Sequence, residues 1–268
     1  GLCVISGGPG TGKTTTVAKI LALLIDQSPD NNLKISLTAP TGKAGARLSD
    51  AVAAAKHRLN CDPKVINAVP EAALTIHRFL GSRPGSVYFR HHADNRVDAD
   101  VVVVDEASMV DVALLAKLIA ALPNDCRLIL VGDKDQLASV EAGSVFADIC
   151  AAGKIDGFTS DFISKFKSAG FSTIKTGSSD GQNDGSRNDK QLDNCLIQLE
   201  KNYRFPADSG ISRLSLAIRD GGDDKAISIL ADDTYQDVRW IVPDEGFWEK
   251  TIGIDVLPDR KSTRLNSS

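Results

Sequence analysis

Gly7-Gly8-Pro9-Gly10-Thr11-Gly12-Lys13-Thr14 decides the fold, together with the apolar run Leu2–Ser6 before it and the helical pattern Lys13–Ile25 after it. The octapeptide fits G-x-x-x-x-G-K-[ST] in a strand–loop–helix setting. Glycines allow a bend tight enough for successive N–H groups to point inward and form a nest for an anion. The positive end of the following helix reinforces that nest. Lys13 is placed to reach β- and γ-phosphates, and the Thr14 hydroxyl to take a coordination place on Mg²⁺. Candidate nucleotide contacts are therefore Gly7, Gly8, Pro9, Gly10, Thr11, Gly12, Lys13, Thr14 and Thr15. The competing reading, a glycine turn that merely joins strand to helix, requires the pattern to arise by chance, in about one chain of this length in a hundred.

Outward from that loop, short β-branched runs alternate with helical patterns, the rhythm of βα units on a parallel sheet. Strands are expected at Leu2–Ser6, Lys34–Thr38, Val101–Val104, Arg127–Val131 and Leu196–Leu199. Helices are expected at Lys13–Ile25, Gly42–Leu59, Val112–Leu122, Ser144–Ala152, Ile211–Arg219 and Lys225–Leu230, with a further strand at Val238–Val242. Val101–Val104 and Arg127–Val131 are apolar at consecutive positions, as strands covered on both faces are. Residues 159–194, which include Gly177-Ser178-Ser179-Asp180-Gly181, are expected to be a polar loop or linker.

The chain has 268 residues and a net charge of −4, so no global basic field points to nucleic acid. Residues 1–60 carry seven Lys and Arg against three Asp, whereas residues 101–160 carry four against nine acidic groups. That asymmetry fits a phosphate-handling end beside a metal-handling end, and equally fits surface scatter. Five widely spaced cysteines with no C-x-x-C pair argue against a disulfide scaffold or a zinc site and suit a cytoplasmic protein. No apolar run approaches the ~18 residues of a membrane helix.

Two acidic turns follow strands. Asp105 and Glu106 end the Val101–Val104 run, at the strand edge where ligands gather in parallel sheets. Asp105 is the candidate Mg²⁺ ligand, and Glu106 the candidate base for an attacking water. A solvated turn capping a helix is the plainer reading. Gly132-Asp133-Lys134-Asp135-Gln136 repeats the device, with Gln136 either a sensor of the terminal phosphate or a surface amide.

Five motifs now stand in order: Gly7–Thr14, Thr38-Ala39-Pro40-Thr41-Gly42-Lys43-Ala44, Thr75-Ile76-His77-Arg78, Asp105-Glu106-Ala107-Ser108-Met109, and Gly132-Asp133-Lys134-Asp135-Gln136-Leu137-Ala138-Ser139-Val140. The set resembles the motor ATPases of helicase superfamily 1. The surroundings at 83–86, 90–95 and 139–143 are similar to the RecD branch, the α subunits of exodeoxyribonuclease V. Gly45 stands where that family usually has Ala.

The resemblance implies an α/β, RecA-like P-loop NTPase fold, a parallel sheet with helices on both faces, followed by the start of a second RecA-like domain. Expected bounds are 1–158 for the first motor domain, 159–194 for the linker and 195–260 for the second domain. Residues 261–268 look like a non-native tail.

It further implies an ATP-dependent 5′→3′ DNA helicase acting in double-strand-break repair, with ATP and Mg²⁺ as cofactors and single-stranded DNA, RecB and RecC as partners. Pro40, Thr41, Gly42, Lys43, Thr75 and His77 would touch DNA, and Arg204 in Tyr203-Arg204-Phe205 would reach the γ-phosphate. Helix capping at Thr41 and Thr75, a packed core site for His77 and a surface site for Arg204 are the alternatives. Phe79, Tyr88 and Phe89 read as base-stacking or as core.

Second-lobe motifs and an adenine-recognition segment are missing from the family's set, so the sequence reads as a fragment. Two other functions stay open: a nucleotide-binding module without turnover, and a stand-alone RecD-like or relaxase-type helicase.

Overall fold

The computed structural model describes residues 1–29, 32–136, 145–153, 158–170, 192, 194–206, 208–238 and 240. Six strands form one sheet: β1 (Leu2–Gly7), β2 (Ile35–Ala39), β3 (Ala73–Thr75), β4 (Val101–Val104), β5 (Arg127–Gly132) and β6 (Leu196–Leu199). Their spatial order is β3-β2-β4-β5-β1-β6, and every neighbouring pair is parallel. All strands therefore end on one edge, and the loops that leave them share it.

Period-two alternation sorts the strands' side chains into two cores. Ile5, Leu37, Val101, Val103, Ile129 and Val131 face α1 (Lys13–Asp26), α2 (Gly42–Lys56) and α3 (Pro63–Ala68). Val4, Val102, Val104, Leu128, Leu130 and Leu196 face α4 (Ile76–Phe79), α5 (Val112–Ala121) and α6 (Val145–Ala152). The expected fold class is the one observed: a parallel sheet with helices on both faces. Among the described residues no helix is long and apolar enough to cross a membrane.

Four elements were not expected from sequence. Pro63–Ala68 forms α3, with Asp62 accepting from the Lys64 N–H at 2.7 Å and Pro63 in the first turn. β3 is only three residues long, and α4 follows it directly. Within the expected linker, Ser160–Ser168 is a helix, α7, started by the Thr159 side chain. Phe158, Phe162 and Phe166 stack along it at centroid spacings of 5.1 and 6.4 Å. Helical spacing of aromatics, not composition, sets that segment's structure. The remainder of the linker lies almost wholly outside the described residues.

The expected boundary at residue 195 also shifts. β6 joins the edge of the first sheet beside β1, with Val4 opposite Leu196 and Gly7 opposite Leu199. The first compact unit therefore runs Gly1–Arg204, and the second begins at Phe205. In the second unit, α8 (Gly210–Arg219) and α9 (Asp223–Leu230) form a helix pair. The Asp237 carboxylate accepts from the Gly210 and Ile211 N–H groups at the start of α8. Those bonds hold its carboxyl below the usual value. The expected strand at Val238–Val242 falls mostly outside the described residues.

Candidate active site

β1 ends in Gly7, whose Cβ would lie 2.6 Å from the Thr11 Oγ1 and 3.1 Å from Leu199, so only glycine fits the floor of the loop. Gly10 and Gly12 carry φ of +80° and +82°. Gly12 is the N-cap of α1 and offers no side-chain cap, and the first turn has no acidic residue. The N-terminal amides of a 14-residue helix are thus left for something else to satisfy. The Thr11 hydroxyl donates to the Gly8 carbonyl at 2.8 Å, and the Lys13 ammonium to the carbonyls of Gly7 (2.6 Å) and Gly8 (3.1 Å). Lys13 is folded across its own loop. Thr14 and Thr15 occupy the half-buried first turn of α1, whereas Pro9 is exposed.

Two strands away, Asp105 closes β4, its N–H donating to the Thr38 carbonyl at 2.9 Å. Thr38, fully buried, donates its hydroxyl to the Val103 carbonyl at 2.7 Å, which bolts β2 to β4. Burial pushes the Asp105 carboxyl above its ordinary value; the Glu106 N–H opposes that, the Glu106 charge adds to it, and the Lys13 ammonium draws it back. Glu106 has φ +52° and ψ +40°, a left-handed conformation that a non-glycine residue adopts at a cost of about 1 kcal/mol.

Gln136 joins this cluster through a residue the sequence reading did not assign. Ser108, buried in the 3-10 turn Ala107–Met109, donates to the Gln136 Oε1 at 2.8 Å. Gly132 lets the two turns meet, because a Cβ there would press to 3.0 Å on Phe146 and 3.1 Å on the Ser108 nitrogen. Ser6 adds a second unassigned link, its hydroxyl accepting from the Lys134 N–H at 3.3 Å. Ser108 was visible inside the Asp105–Met109 motif; nothing in the sequence singled out Ser6. Leu137–Val140 of the last motif lie outside the described residues.

Arg204 comes to the same place from the other side of β1. The Tyr203 N–H donates to the Gly10 carbonyl at 2.8 Å, so the chain leaving β6 passes over the phosphate loop. Arg204 thus issues from the unit that holds the loop, the first one.

The DNA candidates sit at the opposite end of the sheet. Register pairs Ala39 with Thr75, so Pro40–Lys43 and Thr75–Arg78 leave adjacent strands together. Thr41 and Thr75 are both N-caps, accepting from Ala44 and Arg78 N–H groups at 3.2 Å. Capping leaves each hydroxyl proton free to donate. Gly42, Lys43 and His77 are exposed and Pro40 is half-buried. His77 is not a core histidine: its ring meets the Phe89 edge at 5.7 Å on the surface. Phe79 and Phe89 pack against the core, while Tyr88 stands 78% exposed.

Residues 1–142 match the AAA domain family. The chain is 45% identical over 236 residues to the RecBCD enzyme subunit RecD of Mycolicibacterium smegmatis, covering 86% of this chain and 35% of that protein. It is 38% identical over 231 residues to the same subunit of Haemophilus influenzae, covering 85% of this chain and 34% of that protein. The ATP-dependent RecD2 DNA helicase of Deinococcus radiodurans is 39% identical over 142 residues, covering 53% of this chain and 17% of that protein. The chain spans about a third of the length of the RecD subunits it matches. Because the matched span takes in more than half of the chain and every strand end that lines the loop except that of β6, the chain belongs to the AAA domain family.

Proposed function

We propose that this chain is the nucleotide-hydrolysing motor of a RecD-type, ATP-dependent DNA helicase, moving 5′→3′ on single-stranded DNA as part of a cytoplasmic RecBCD enzyme in double-strand-break repair. One observation carries the reading: the glycine loop after β1, with its uncapped helix amides and Lys13, and Asp105 after β4 leave the same edge of one parallel sheet.

In that reading, the backbone N–H groups of Gly10–Thr15 and the Lys13 ammonium hold the β- and γ-phosphates. Lys13 exchanges its two carbonyl partners for phosphate oxygens, a charge-assisted and stronger pairing. The donors near the loop are hard oxygens, the Thr14 hydroxyl and the Asp105 carboxylate, which is the chemistry Mg²⁺ prefers. A cation would also offset the burial cost carried by Asp105. When bound, Mg²⁺ draws charge from the phosphate oxygens.

Glu106, held in a left-handed backbone conformation just after β4, takes the proton of the attacking water. Gln136, oriented by Ser108, contacts the terminal phosphate or that water. Arg204 neutralises charge as the γ-phosphoryl group departs. Pro40–Lys43, Thr75 and His77 grip the sugar–phosphate backbone without reading sequence.

The test is steady-state ATP hydrolysis by the intact protein with and without single-stranded DNA. Stimulation by DNA is expected. A rate that ignores DNA at every concentration rejects the helicase reading while leaving nucleotide binding standing.

A further inference from the structure

Gly10 has two separate reasons to lack a side chain. Its φ is +80°, and a Cβ there would lie 2.6 Å from the Asn202 Oδ1 and 2.7 Å from the Arg204 Cβ. The 202–204 segment rests directly on the phosphate loop. Two hydrogen bonds hold it in register. The Tyr203 N–H donates to the Gly10 carbonyl at 2.8 Å. The Asn202 side chain folds over its own backbone, so that Oδ1 accepts the Arg204 N–H at 2.8 Å, the geometry of an Asx turn.

We infer that Asn202 is a positioning residue for Arg204. The inference rests on the proposed contact of Arg204 with the terminal phosphate. The first bond anchors the backbone to the loop, and the second fixes the next peptide, from which the Arg204 side chain departs. Without the amide oxygen, the Arg204 N–H turns to water and the peptide between residues 203 and 204 is free to rotate. A long side chain amplifies that rotation at its tip, and a misplacement of about 1 Å costs up to about 100-fold in rate. Asn202 acts on the arginine's direction and touches no reacting atom. Asn and Asp alone among side chains make this turn well, because an sp² oxygen stands one carbon beyond Cβ. Asn202 is exposed, so its removal opens no cavity in the core.

ATP hydrolysis by the intact protein with saturating single-stranded DNA tests this in Asn202→Ala, Asn202→Asp, Arg204→Ala and the double variant Asn202→Ala/Arg204→Ala. Arg204→Ala is expected to lower kcat by roughly 10³-fold. Asn202→Ala is expected to lower kcat by about tenfold with the KM for ATP unchanged. Asn202→Asp restores kcat and raises KM, since its carboxylate keeps the turn but stands beside the bound anion. The double variant is no slower than Arg204→Ala, because a residue acting only through the arginine has nothing left to act on. A double variant slower again by the Asn202→Ala factor overturns the inference. So does an Asn202→Ala effect confined to KM, a wild-type kcat for Asn202→Ala, or an Asp variant as slow as Ala. Wild-type kcat in Arg204→Ala fails the arginine reading instead, independently of the Asn202 variants.

Discussion

The tripeptide Thr-Gly-Lys occurs twice, as Thr11-Gly12-Lys13 after β1 and as Thr41-Gly42-Lys43 after β2, each time between a parallel strand and a helix. The outcomes are opposite. In the first, Gly12 is the N-cap at φ +82°, Thr11 is buried with its hydroxyl turned into the loop, and Lys13 folds back over it. In the second, Thr41 is the N-cap at φ −125°, it satisfies the Ala44 N–H itself, and Lys43 points to solvent. One residue's shift of the cap turns a helix start that demands an anion into one that is already satisfied. The first site concentrates charge; the second presents a hydroxyl and a lysine at a surface, which suits a passing polyanion.

The largest expected effect separates the two lysines. Lys13→Ala removes hydrolysis almost wholly, a fall of about 10³-fold or more. Lys43→Ala instead weakens single-stranded DNA binding a few-fold and lowers the slope of log K against log salt by about 0.7. Measured side by side, equal losses of hydrolysis in both would erase the distinction.

The glycines give the next test. Gly12→Ala forces an alanine to φ +82° and is expected to lower nucleotide affinity by at least tenfold, read by calorimetry with a non-hydrolysable analogue. Gly42→Ala meets nothing within 4 Å and is expected to leave that affinity alone, with stability unchanged or raised by up to about 1 kcal/mol. A comparable affinity loss at Gly42 would place the second loop in the nucleotide site.

Asp105 sharpens the first half of the comparison. Its carboxyl is raised in the folded state, so the ionised form is penalised there relative to the unfolded chain. The penalty is full above the folded value, shrinks as pH falls through it, and is gone below the ordinary carboxylate value of ~4. Asp105→Asn without nucleotide should therefore melt higher than wild type at pH 7, with the gap closing as pH is lowered. A gap independent of pH would mean that the burial penalty is not the cause.

The smallest effect is at Gly45. It is buried in α2, and a Cβ would sit 3.8 Å from the Ala73 carbonyl, an ordinary contact. Gly45→Ala should raise thermal stability by up to about 1 kcal/mol, and a loss would show that α2 needs a closer approach to β3.

Sequence disclosed what repeats or runs. Val101–Val104 and Arg127–Val131 were legible because a strand buried on both faces is apolar at every position, and the phosphate loop because its glycines and lysine have one spacing. β3, three residues long, has no room for a period. α7 was hidden by the polar composition around it, although Phe158, Phe162 and Phe166 lie four apart. β6 was legible as a strand, but a four-residue run does not say which sheet it joins. Its pairing with β1 moved the boundary of the first unit to Arg204. In the site, Lys13, Asp105 and Gln136 stood out by motif. Ser6 and Asn202 did not, since their importance comes from partners 128 and 2 residues away that no local pattern reveals.

β1 has no neighbour from its own vicinity: Val4 lies between Leu130 and Leu196. A ribosome adding 5–20 residues per second takes roughly 10–40 s to make the chain between β1 and β6. Throughout that interval Leu199 is missing from beside Gly7, and the hydrophobic flank of β1 waits uncovered. The nascent polypeptide thus exposes a bare edge until β6 is made, which makes this strand the natural place for a chaperone to attend and for premature self-association to begin.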